Sequence, residues 1–338
     1  MTESILLTGG TGFIGSHTCV ALLDAGHDVV VLDNLSNSDR SVIDRIETIC
    51  GRQPAFIEAD IRDAAAMEKL FQQHSISAVM HFAGLKAVGE SVAQPLAYYQ
   101  NNVSGSLNLL RAMQLADVKC IVFSSSATVY GDPNSVPVTE DSPRSTTNPY
   151  GSTKLMIEDI LEDLYHAEPG WRIGRLRYFN PVGAHQSGLI GENPTGVPNN
   201  LMPFIAQAAA GLREELSVFG DDYDTADGTG IRDYIHVVDL AMGHLAALDY
   251  LGRNQELLTV NLGTGNGVSV LEMIAAFENS NGVKVPYRVT GRRPGDIAAA
   301  WADTSLANSL LGWSSELTLA DMCRDTWNWQ QRLGLSSP

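Results

Sequence analysis

The chain has 338 residues, of which 44% are apolar, and its formal net charge is −17. At roughly 150 residues per domain this length predicts about two domains, and the acidic balance argues against a general nucleic-acid surface or an anionic membrane surface, because both require basic patches. The sequence shows neither a basic leader nor an apolar run long enough to cross a bilayer, so we expect no signal peptide and no membrane span. Its 4 cysteines and 8 histidines are scattered, so we expect no metal site and a cytoplasmic location.

Short apolar runs alternate with amphipathic patterns along the first half of the chain. The runs predict strands, and the patterns predict helices. The predicted strands lie at 5–7, 27–33, 55–57, 76–82, 121–123 and 172–179, and the predicted helices lie at 14–23, 42–49, 96–116 and 150–167, with a further helix capped by Asp63. This alternation predicts an α/β fold with a doubly wound parallel sheet of the Rossmann type, whose ligand crevice lies at the carboxyl ends of the strands.

The composition of the chain changes near residue 180. Gly, Pro and Asn are frequent from there to about residue 200, which predicts a domain boundary. A helix at 237–251, capped by Asp239, and a strand at 260–263 are expected to return to the first domain. The predicted division is therefore a sheet domain made of residues 1–179 and 237–263, and a smaller α/β domain made of residues 180–236 and 264–338.

A glycine-rich stretch at 8–17 follows the first predicted strand and opens the first predicted helix. Glycine lets the backbone approach a ligand closely, and a helix N-terminus attracts an anion, so this stretch predicts a phosphate site. Two glycine patterns fit it. Gly10, Gly12 and Gly15 match G-x-G-x-x-G, whereas Gly9, Gly12 and Gly15 match the G-x-x-G-x-x-G of short-chain dehydrogenases/reductases, and the loop alone does not decide between them.

Asp33 ends the second predicted strand, 18 residues after Gly15. A carboxylate at this distance from the glycine loop is placed to bind the 2′-hydroxyl of a cofactor ribose and would repel a 2′-phosphate. No arginine adjoins Asp33 and Asn34, so NAD is favoured over NADP. The alternative, that Asp33 only terminates a strand in a turn, is about as well supported by this residue alone.

Tyr150 and Lys154 lie one turn apart on one face of the helix predicted at 150–167. An ammonium beside a phenol favours the phenolate, so this pair predicts a tyrosine whose pKa is lowered and that acts as base and acid. The alternative is a tyrosine packed on the sheet at a helix start. Ser126, just after the fifth predicted strand, is a candidate partner for a sugar hydroxyl, although any of the serines from Ser124 to Ser126 could point inward.

Together with the glycine loop, three further stretches carry a more specific pattern. They are His-Phe-Ala-Gly-Leu-Lys-Ala-Val-Gly-Glu at 81–90, Ser-Ser-Ser-Ala-Thr-Val-Tyr-Gly at 124–131 and Arg-Tyr-Phe-Asn-Pro-Val-Gly at 177–183. With these motifs the chain resembles, over essentially its whole length, the UDP-glucose 4-epimerase family of extended short-chain dehydrogenases/reductases. The resemblance implies interconversion of UDP-galactose and UDP-glucose through a 4-keto sugar with tightly bound NAD, and it selects the pattern of Gly9, Gly12 and Gly15.

The resemblance also implies roles for single residues. Tyr150 would be the base, Lys154 would tune it and hold the nicotinamide ribose, and Ser126 would orient the substrate. The other implied cofactor positions are Phe13, Ile14, Asn34, Asp60, Ile61, Phe82, Ala83, Gly84, Lys86, Asn101, Ser124 and Phe179. The implied positions for the UDP-sugar, beside Ser126 and Tyr150, are Lys86, Asn180, Asn199, Asn200, Leu201, Phe219, Arg232, Arg293, Asp296 and Ala300.

Several of these positions keep an alternative interpretation. Lys86 could be a solvated loop lysine, and Arg232 and Arg293 could pair with their neighbours Asp233 and Asp296 instead of a diphosphate. Trp329 and other late aromatic residues are expected in the core.

The related sugar-nucleotide 4,6-dehydratases differ from the chain at one informative place. They carry an acidic pair after the active-site hydroxyl residue, where this chain has Ala127 and Thr128, so elimination is disfavoured. The small Ala300 would leave room for an N-acetyl group on the sugar. Three alternatives therefore stay open: an epimerase for UDP-GlcNAc and UDP-GalNAc, a UDP-pentose epimerase, and a non-catalytic NAD-sensing protein.

The family pattern also predicts a homodimer joined through helices near 96–116 and 150–167.

Overall fold

The structure is a computed structural model that describes residues 3–196, 198–293 and 295–335. Within these residues no helix is both long and apolar enough to cross a membrane. The strands, numbered along the chain, are β1 (Ser4–Thr8), β2 (Asp28–Asp33), β3 (Ala55–Glu58), β4 (Ile76–His81), β5 (Cys120–Ser126), β6 (Arg172–Tyr178), β7 (Asn180–Val182), β8 (Leu216–Phe219), β9 (Ile231–His236), β10 (Leu257–Leu262), β11 (Gly267–Ser269), β12 (Tyr287–Thr290) and β13 (Ala299–Ala300).

The helices connect these strands and cover their faces. They are α1 (Phe13–Asp24), α2 (Ser41–Cys50), α3 (Ala64–Gln73), α4 (Val88–Ala93), α5 (Pro95–Tyr98), α6 (Gly105–Leu115), α7 (Pro149–Ala167), α8 (Leu201–Ala209), α9 (Val237–Arg253), α10 (Val270–Asn281), α11 (Ser305–Leu311) and α12 (Leu319–Leu335). A π-helical turn at Tyr99–Ser104 joins α5 to α6, and a 3₁₀ turn at Ala127–Tyr130 follows β5.

The central sheet has seven parallel strands in the order β3, β2, β1, β4, β5, β6, β10. The chain leaves β1 in one direction to build β2 and β3 and in the other to build β4, β5 and β6. This reversal opens a crevice at the carboxyl ends of β1 and β4. The predicted doubly wound parallel sheet is confirmed, and the strand expected at 260–263 is β10, beside β6.

Apolar side chains cover both faces of this sheet. One core joins it to α1, α2 and α9, and it includes Cys19, Ile46 and Leu240. The other core joins it to α3, α6 and α7. The central strands are buried on both sides, which explains why β1, β2 and β4 are nearly continuous apolar runs. In contrast, β6 carries the buried arginines Arg175 and Arg177.

Two small sheets lie outside the central one. In the first, β9 pairs with β7, β11 and β13, and in the second β8 pairs with β12. A third core packs against them from α8, α10 and α12. In contrast, Ala307 of α11 and Trp313 belong to the core of the central sheet with α9.

Two local predictions differ from the structure. The single helix predicted at 96–116 is interrupted by the π-helical turn, in which Asn102 is buried and bonds through its side chain to the backbone of Leu85 and to Thr153 Oγ1. The predicted cap of α9 is also wrong. His236 caps the helix by accepting from the Val238 N–H, while the carboxylate of Asp239 turns toward a later segment and accepts from the N–H groups of Glu316 and Leu317.

Candidate active site

The glycine loop after β1 packs tightly against its neighbours. Gly9 has φ +69°, and a Cβ there would lie 2.7 Å from the Ala83 nitrogen. A Cβ on Gly15 would lie 2.3 Å from the Gly9 carbonyl oxygen, so neither position has space for a side chain. The helix α1 begins after Gly12, without a side-chain cap and with no acidic residue in its first turn. Its amide groups are therefore free of a competing carboxylate, which suits an anionic ligand.

A cavity of about 1010 Å³ opens at this loop, at the upper end of the volumes typical of ligand pockets. Gly9, Gly12 and Gly15 line it, whereas a Cβ on Gly10 would point at the side chain of Val31. The glycine pattern that faces the cavity is thus the one with Gly9. The other candidate residues that line it are Phe13, Ile14, Asp33, Asn34, Ile61, Phe82, Ala83, Gly84, Lys86, Asn101, Ser124, Tyr150, Lys154 and Asn199.

Asp33 lies at the end of β2 and is buried. Its Oδ2 accepts from the Thr11 N–H at 3.1 Å, and its Oδ1 accepts from the Leu35 N–H at 2.9 Å and from Ser38 Oγ at 3.2 Å. The carboxylate therefore both ties the glycine loop to the segment after β2 and faces the cavity. These bonds are those of the turn interpretation, and the position of Asp33 in the lining leaves the ribose-binding interpretation a prediction.

Asp60 is a candidate that lies outside the lining of the cavity. Its carboxylate pairs with Arg62 at 2.7 Å and accepts from Asn34 Nδ2 at 2.8 Å. The hydrogen bonds from Arg62 lower its pKa most, and burial opposes them. Asp60 is thus connected to the cavity through Asn34, which does line it.

Tyr150 and Lys154 project from the first turns of α7, which starts at Pro149 and is capped by Asn148. The Lys154 ammonium is buried and donates to the Ser124 carbonyl oxygen at 2.6 Å. Ser126 Oγ accepts from the N–H and hydroxyl of Thr128 at 3.2 and 3.0 Å, and its hydroxyl acts to lower the pKa of Tyr150. Since Thr128 donates both of these bonds, the hydroxyl proton of Ser126 is left over for another acceptor such as the Tyr150 oxygen, and a bond there would favour the phenolate.

The protonation of this pair differs from the sequence prediction. Burial raises the pKa of Tyr150, against the opposing hydrogen bond from Ser126. The Lys154 nitrogen lies 6.0 Å from the centre of the Tyr150 ring and bonds to a carbonyl instead of the phenol, which is why it does not lower the pKa of Tyr150 in this structure. Burial lowers the pKa of Lys154 itself to about 8, and the charge of Glu158 opposes that shift.

Four of the predicted substrate residues cluster away from the large cavity. The Arg293 guanidinium lies 5.4 Å from the Phe219 ring and pairs with Asp296 at 2.8 Å. Burial lowers the pKa of Arg232, and the charges of Asp296 and Arg293 act on it in opposite directions. Arg293 thus has the acidic neighbour that the alternative interpretation supposed.

Arg232 does not pair with Asp233. The buried carboxylate of Asp233 accepts instead from the backbone N–H groups of Thr264, Gly265 and Ala302. The guanidinium of Arg232 donates to the carbonyl oxygen of Ile231.

The remaining candidates lie at the seam between the sheets. Ala300 is the register partner of Arg232 in the pairing of β13 with β9, and it packs with Phe179 in a small cluster around Val129 and Tyr130. Asn180 begins β7 and Leu201 begins α8, and Asn200 precedes α8 and donates to Glu192. None of Ser126, Asn180, Leu201, Ala300 or Phe179 lines the large cavity in the described part of the chain.

Sequence reasoning missed Glu192. Its side chain is only 9% exposed and accepts from Lys86 Nζ at 2.8 Å and from Asn200 Nδ2 at 2.7 Å. Lys86 is therefore paired with a residue 106 positions later instead of being a solvated loop lysine. The only sequence signal was an acidic residue within the Gly, Pro and Asn-rich segment.

Trp329 was expected in the core, and it is indeed buried. It also lines the cavity and donates from its indole to the Glu192 carbonyl oxygen at 3.1 Å.

The protein is similar to known proteins over nearly its full length. A model of the family described as GDP-mannose 4,6 dehydratase matches residues 6–326. A UDP-glucose 4-epimerase of Bacillus subtilis is 58% identical over 327 residues, which are 97% of this chain and 96% of that protein.

Solved structures agree with this similarity. A UDP-glucose 4-epimerase of Stenotrophomonas maltophila with bound NAD and formylated UDP-arabinopyranose is 55% identical, with a TM-score of 0.97 and coverage of 99% of this chain and 100% of that one. The enzyme of Bifidobacterium longum in complex with NAD⁺ and UDP is 53% identical, with a TM-score of 0.95 and 98% of each chain covered. The chain belongs to the UDP-glucose 4-epimerase family, within the broader family that the dehydratase model describes.

Proposed function

We infer that the protein interconverts UDP-galactose and UDP-glucose by inverting C4 of the sugar through a 4-keto intermediate, with NAD as a resident cofactor. The observation that carries this inference is the meeting of Tyr150, Lys154 and the glycine loop at one cavity. A redox group and a proton carrier in the same site are what reversible oxidation of a secondary alcohol requires. The family of the chain and the NAD held by its structural relatives support the same function.

The residues fit NAD. The backbone at Gly9, Gly12 and Gly15 would hold the pyrophosphate, and the Asp33 carboxylate would accept from a ribose hydroxyl. Lys154 would hold the nicotinamide ribose. When bound, NAD supplies a hydride acceptor and donor beside the sugar C4, so that no net oxidation occurs.

The side chains of the site supply the proton transfer. Tyr150 accepts the proton of the sugar 4-hydroxyl as C4 is oxidised, and it returns that proton when C4 is reduced on the other face. Burial disfavours the phenolate that this step needs. The hydroxyl of Ser126 opposes this effect by acting to lower the pKa of Tyr150. Lys154, held by the Ser124 carbonyl, adds a positive charge to the site.

Dehydration is not supported, although the matching family model is described as a dehydratase. Elimination needs an acid and a base beside the sugar C5 and C6. Ala127 and Thr128 follow Ser126 in the 3₁₀ turn, and neither can serve as that acid and base.

The test is turnover of UDP-galactose without added cofactor, measured on purified protein whose retained NAD has been quantified. We expect turnover by the wild type. Tyr150→Phe should keep the fold and the NAD and lose activity by at least about 100-fold, the usual contribution of a general base. An active Tyr150→Phe variant would refute the assigned base. An inactive wild type with bound NAD would favour the non-catalytic NAD-sensing alternative.

A second candidate substrate class is favoured by Ala300. By the family resemblance this position limits the size of the substituent on the sugar C2, and its methyl group leaves space for an N-acetyl group, so we propose activity on UDP-GalNAc and UDP-GlcNAc as well. Ala300→Tyr should remove turnover of UDP-GalNAc and leave that of UDP-galactose. Failure of the wild type to turn over UDP-GalNAc would contradict the proposal. Because the Stenotrophomonas relative binds a UDP-pentose derivative, UDP-arabinopyranose belongs in the same assay.

We also propose that the chain divides into an NAD-binding domain, residues 1–179 with 237–263, and a UDP-sugar-binding domain, residues 180–236 with 264–338. The position of β10 in the central sheet supports this division. The packing of Ala307 and Trp313 against the core of the same sheet adds the segment around α11 to the first domain.

A homodimer is proposed on the exposed apolar side chains of α5 to α7. Leu96 is 81% exposed, Leu115 67% and Met156 45%, and all three lie in the two segments through which the family pattern predicts the dimer. Sedimentation of the wild type should give a dimer and that of Leu96→Glu a monomer.

We place the protein in the cytoplasm, which the four free cysteines support.

A further inference from the structure

A carboxylate lies fully buried behind the catalytic pair. Glu158 is on α7, one turn after Lys154, and is 0% exposed. Ser125 Oγ donates to its Oε1 at 2.5 Å, and Arg177 donates from Nε to Oε1 at 2.9 Å and from a terminal nitrogen to Oε2 at 2.6 Å. Burial raises the pKa of Glu158, but the hydrogen bonds and charge of Arg177 outweigh it and the pKa is lowered. The group is therefore ionised.

The arginine that holds this carboxylate is itself anchored. Another nitrogen of Arg177 donates to Tyr130 OH and to the Glu140 carbonyl oxygen, both at 3.0 Å. Tyr130 OH donates onward to Asn261 Oδ1 at 2.7 Å. A buried network with its polar groups satisfied is rigid, so Glu158 has a fixed place relative to β5 and β6.

The serine bound by Glu158 sits between the two residues that hold the catalytic pair. Ser124 accepts from Lys154 through its carbonyl, and the hydroxyl of Ser126 acts to lower the pKa of Tyr150. Because side chains alternate along a strand, Ser125 points to the face covered by α7 while its neighbours point away. The hydrogen bond between Ser125 and Glu158 therefore fixes the backbone on which Ser124 and Ser126 lie.

The negative charge of Glu158 also acts on the Lys154 ammonium and raises its pKa. The groups around the Lys154 ammonium are the Ser124 carbonyl and Phe123 ring of β5, Tyr150 and Glu158 of its own helix, and His81 of β4. Burial, with the charge of Lys154 adding to it, lowers the pKa of His81 to about 3, so His81 is neutral. Glu158 supplies the negative charge in this set.

We propose that Glu158 is a positioning residue for the reaction: through Ser125 it fixes the end of β5, which holds Lys154 at the Ser124 carbonyl and carries Ser126. This inference rests on the proposed epimerase function. It assigns to Glu158 no contact with substrate or cofactor.

The test compares three variants of the NAD-loaded protein in the UDP-galactose assay from pH 6 to 10. Ser125→Ala breaks the link to β5 and leaves the pair of Glu158 with Arg177. We expect kcat to fall on the order of tenfold, with KM and NAD content unchanged. Glu158→Gln should move the alkaline limb of the kcat profile down by about 1 pH unit, since Lys154 then loses its proton more easily.

The matched control is Glu162→Gln. Glu162 lies one turn further along α7 and pairs with Arg175 of β6 at 2.8 Å, but it has no bond to the end of β5. Its replacement removes a carboxylate from the same helix and should leave the pH profile as in the wild type.

The outcomes distinguish a failure of the role proposed for Glu158 from a failure of the proposed epimerase function. Wild-type kcat in a folded Ser125→Ala variant, or an unshifted alkaline limb in a folded Glu158→Gln variant, would overturn the role of Glu158. If Glu158→Gln does not fold because Arg177 is left unpaired, Ser125→Ala decides alone. If the wild type itself does not turn over UDP-galactose, it is the proposed function that fails.

Discussion

Replacement of Gly9 by alanine tests how tightly the glycine loop is built. The φ of +69° at Gly9 costs an L-residue about 1–2 kcal/mol. The new Cβ would also lie 2.7 and 2.9 Å from the nitrogen and Cα of Ala83, and overpacking against backbone costs about 1–3 kcal/mol. The free energy of unfolding should therefore fall by about 2–5 kcal/mol.

Gly26→Ala is the matched control for this variant. Gly26 has φ +91° and no atom within 4 Å of a built Cβ, so only the conformational cost of about 1–2 kcal/mol applies. The effect of each substitution on the unfolded chain is the same and cancels in the comparison.

The assay is equilibrium unfolding in urea, together with the NAD content of each purified protein. Gly9→Ala should unfold at a clearly lower urea concentration than Gly26→Ala and retain less NAD. Equal midpoints for the two variants would refute the reasoning, since they would mean that the backbone at Ala83 moves aside without cost.

Two further predictions concern stability. Asp63→Ala should lower the free energy of unfolding by about 1 kcal/mol, because Asp63 caps α3 by accepting from the Ala66 N–H at 3.1 Å. Asp63→Asn should keep most of this stability. Equal urea midpoints for the wild type and Asp63→Ala would contradict the capping role. Burial lowers the pKa of both His17 and His81 from 6.5 to about 3, so between these values the unfolded chain binds protons that the folded chain excludes. The free energy of unfolding should fall as pH drops below about 6.5, by up to about 1.4 kcal/mol per pH unit for each histidine. Urea unfolding at pH 7.5, 6.5 and 5.5 should show a smaller slope for His81→Asn than for the wild type, and equal slopes would refute the assignment.

The sheet was predictable because its information is local. Most central strands are short apolar runs, and the parallel order follows from the alternation with helices. The helix predicted at 96–116 failed because the π-helical turn depends on Asn102, whose partners Leu85 and Thr153 belong to other elements. The cap of α9 failed for a similar reason, since Asp239 finds its partners at 316–317.

The sequence by itself determined the glycine loop and the spacing of Tyr150 and Lys154. Both depend on a few consecutive residues, whose geometry follows from the turn and the helix that contain them. Only the tertiary structure decided that Lys86 pairs with Glu192 and that Glu158 lies behind Lys154 against Arg177, because these partners come from distant parts of the chain. It also decided the protonation of the site, since burial raises the pKa of Tyr150 and lowers that of Lys154, and burial is a property of the packed fold that spacing along the chain does not reveal.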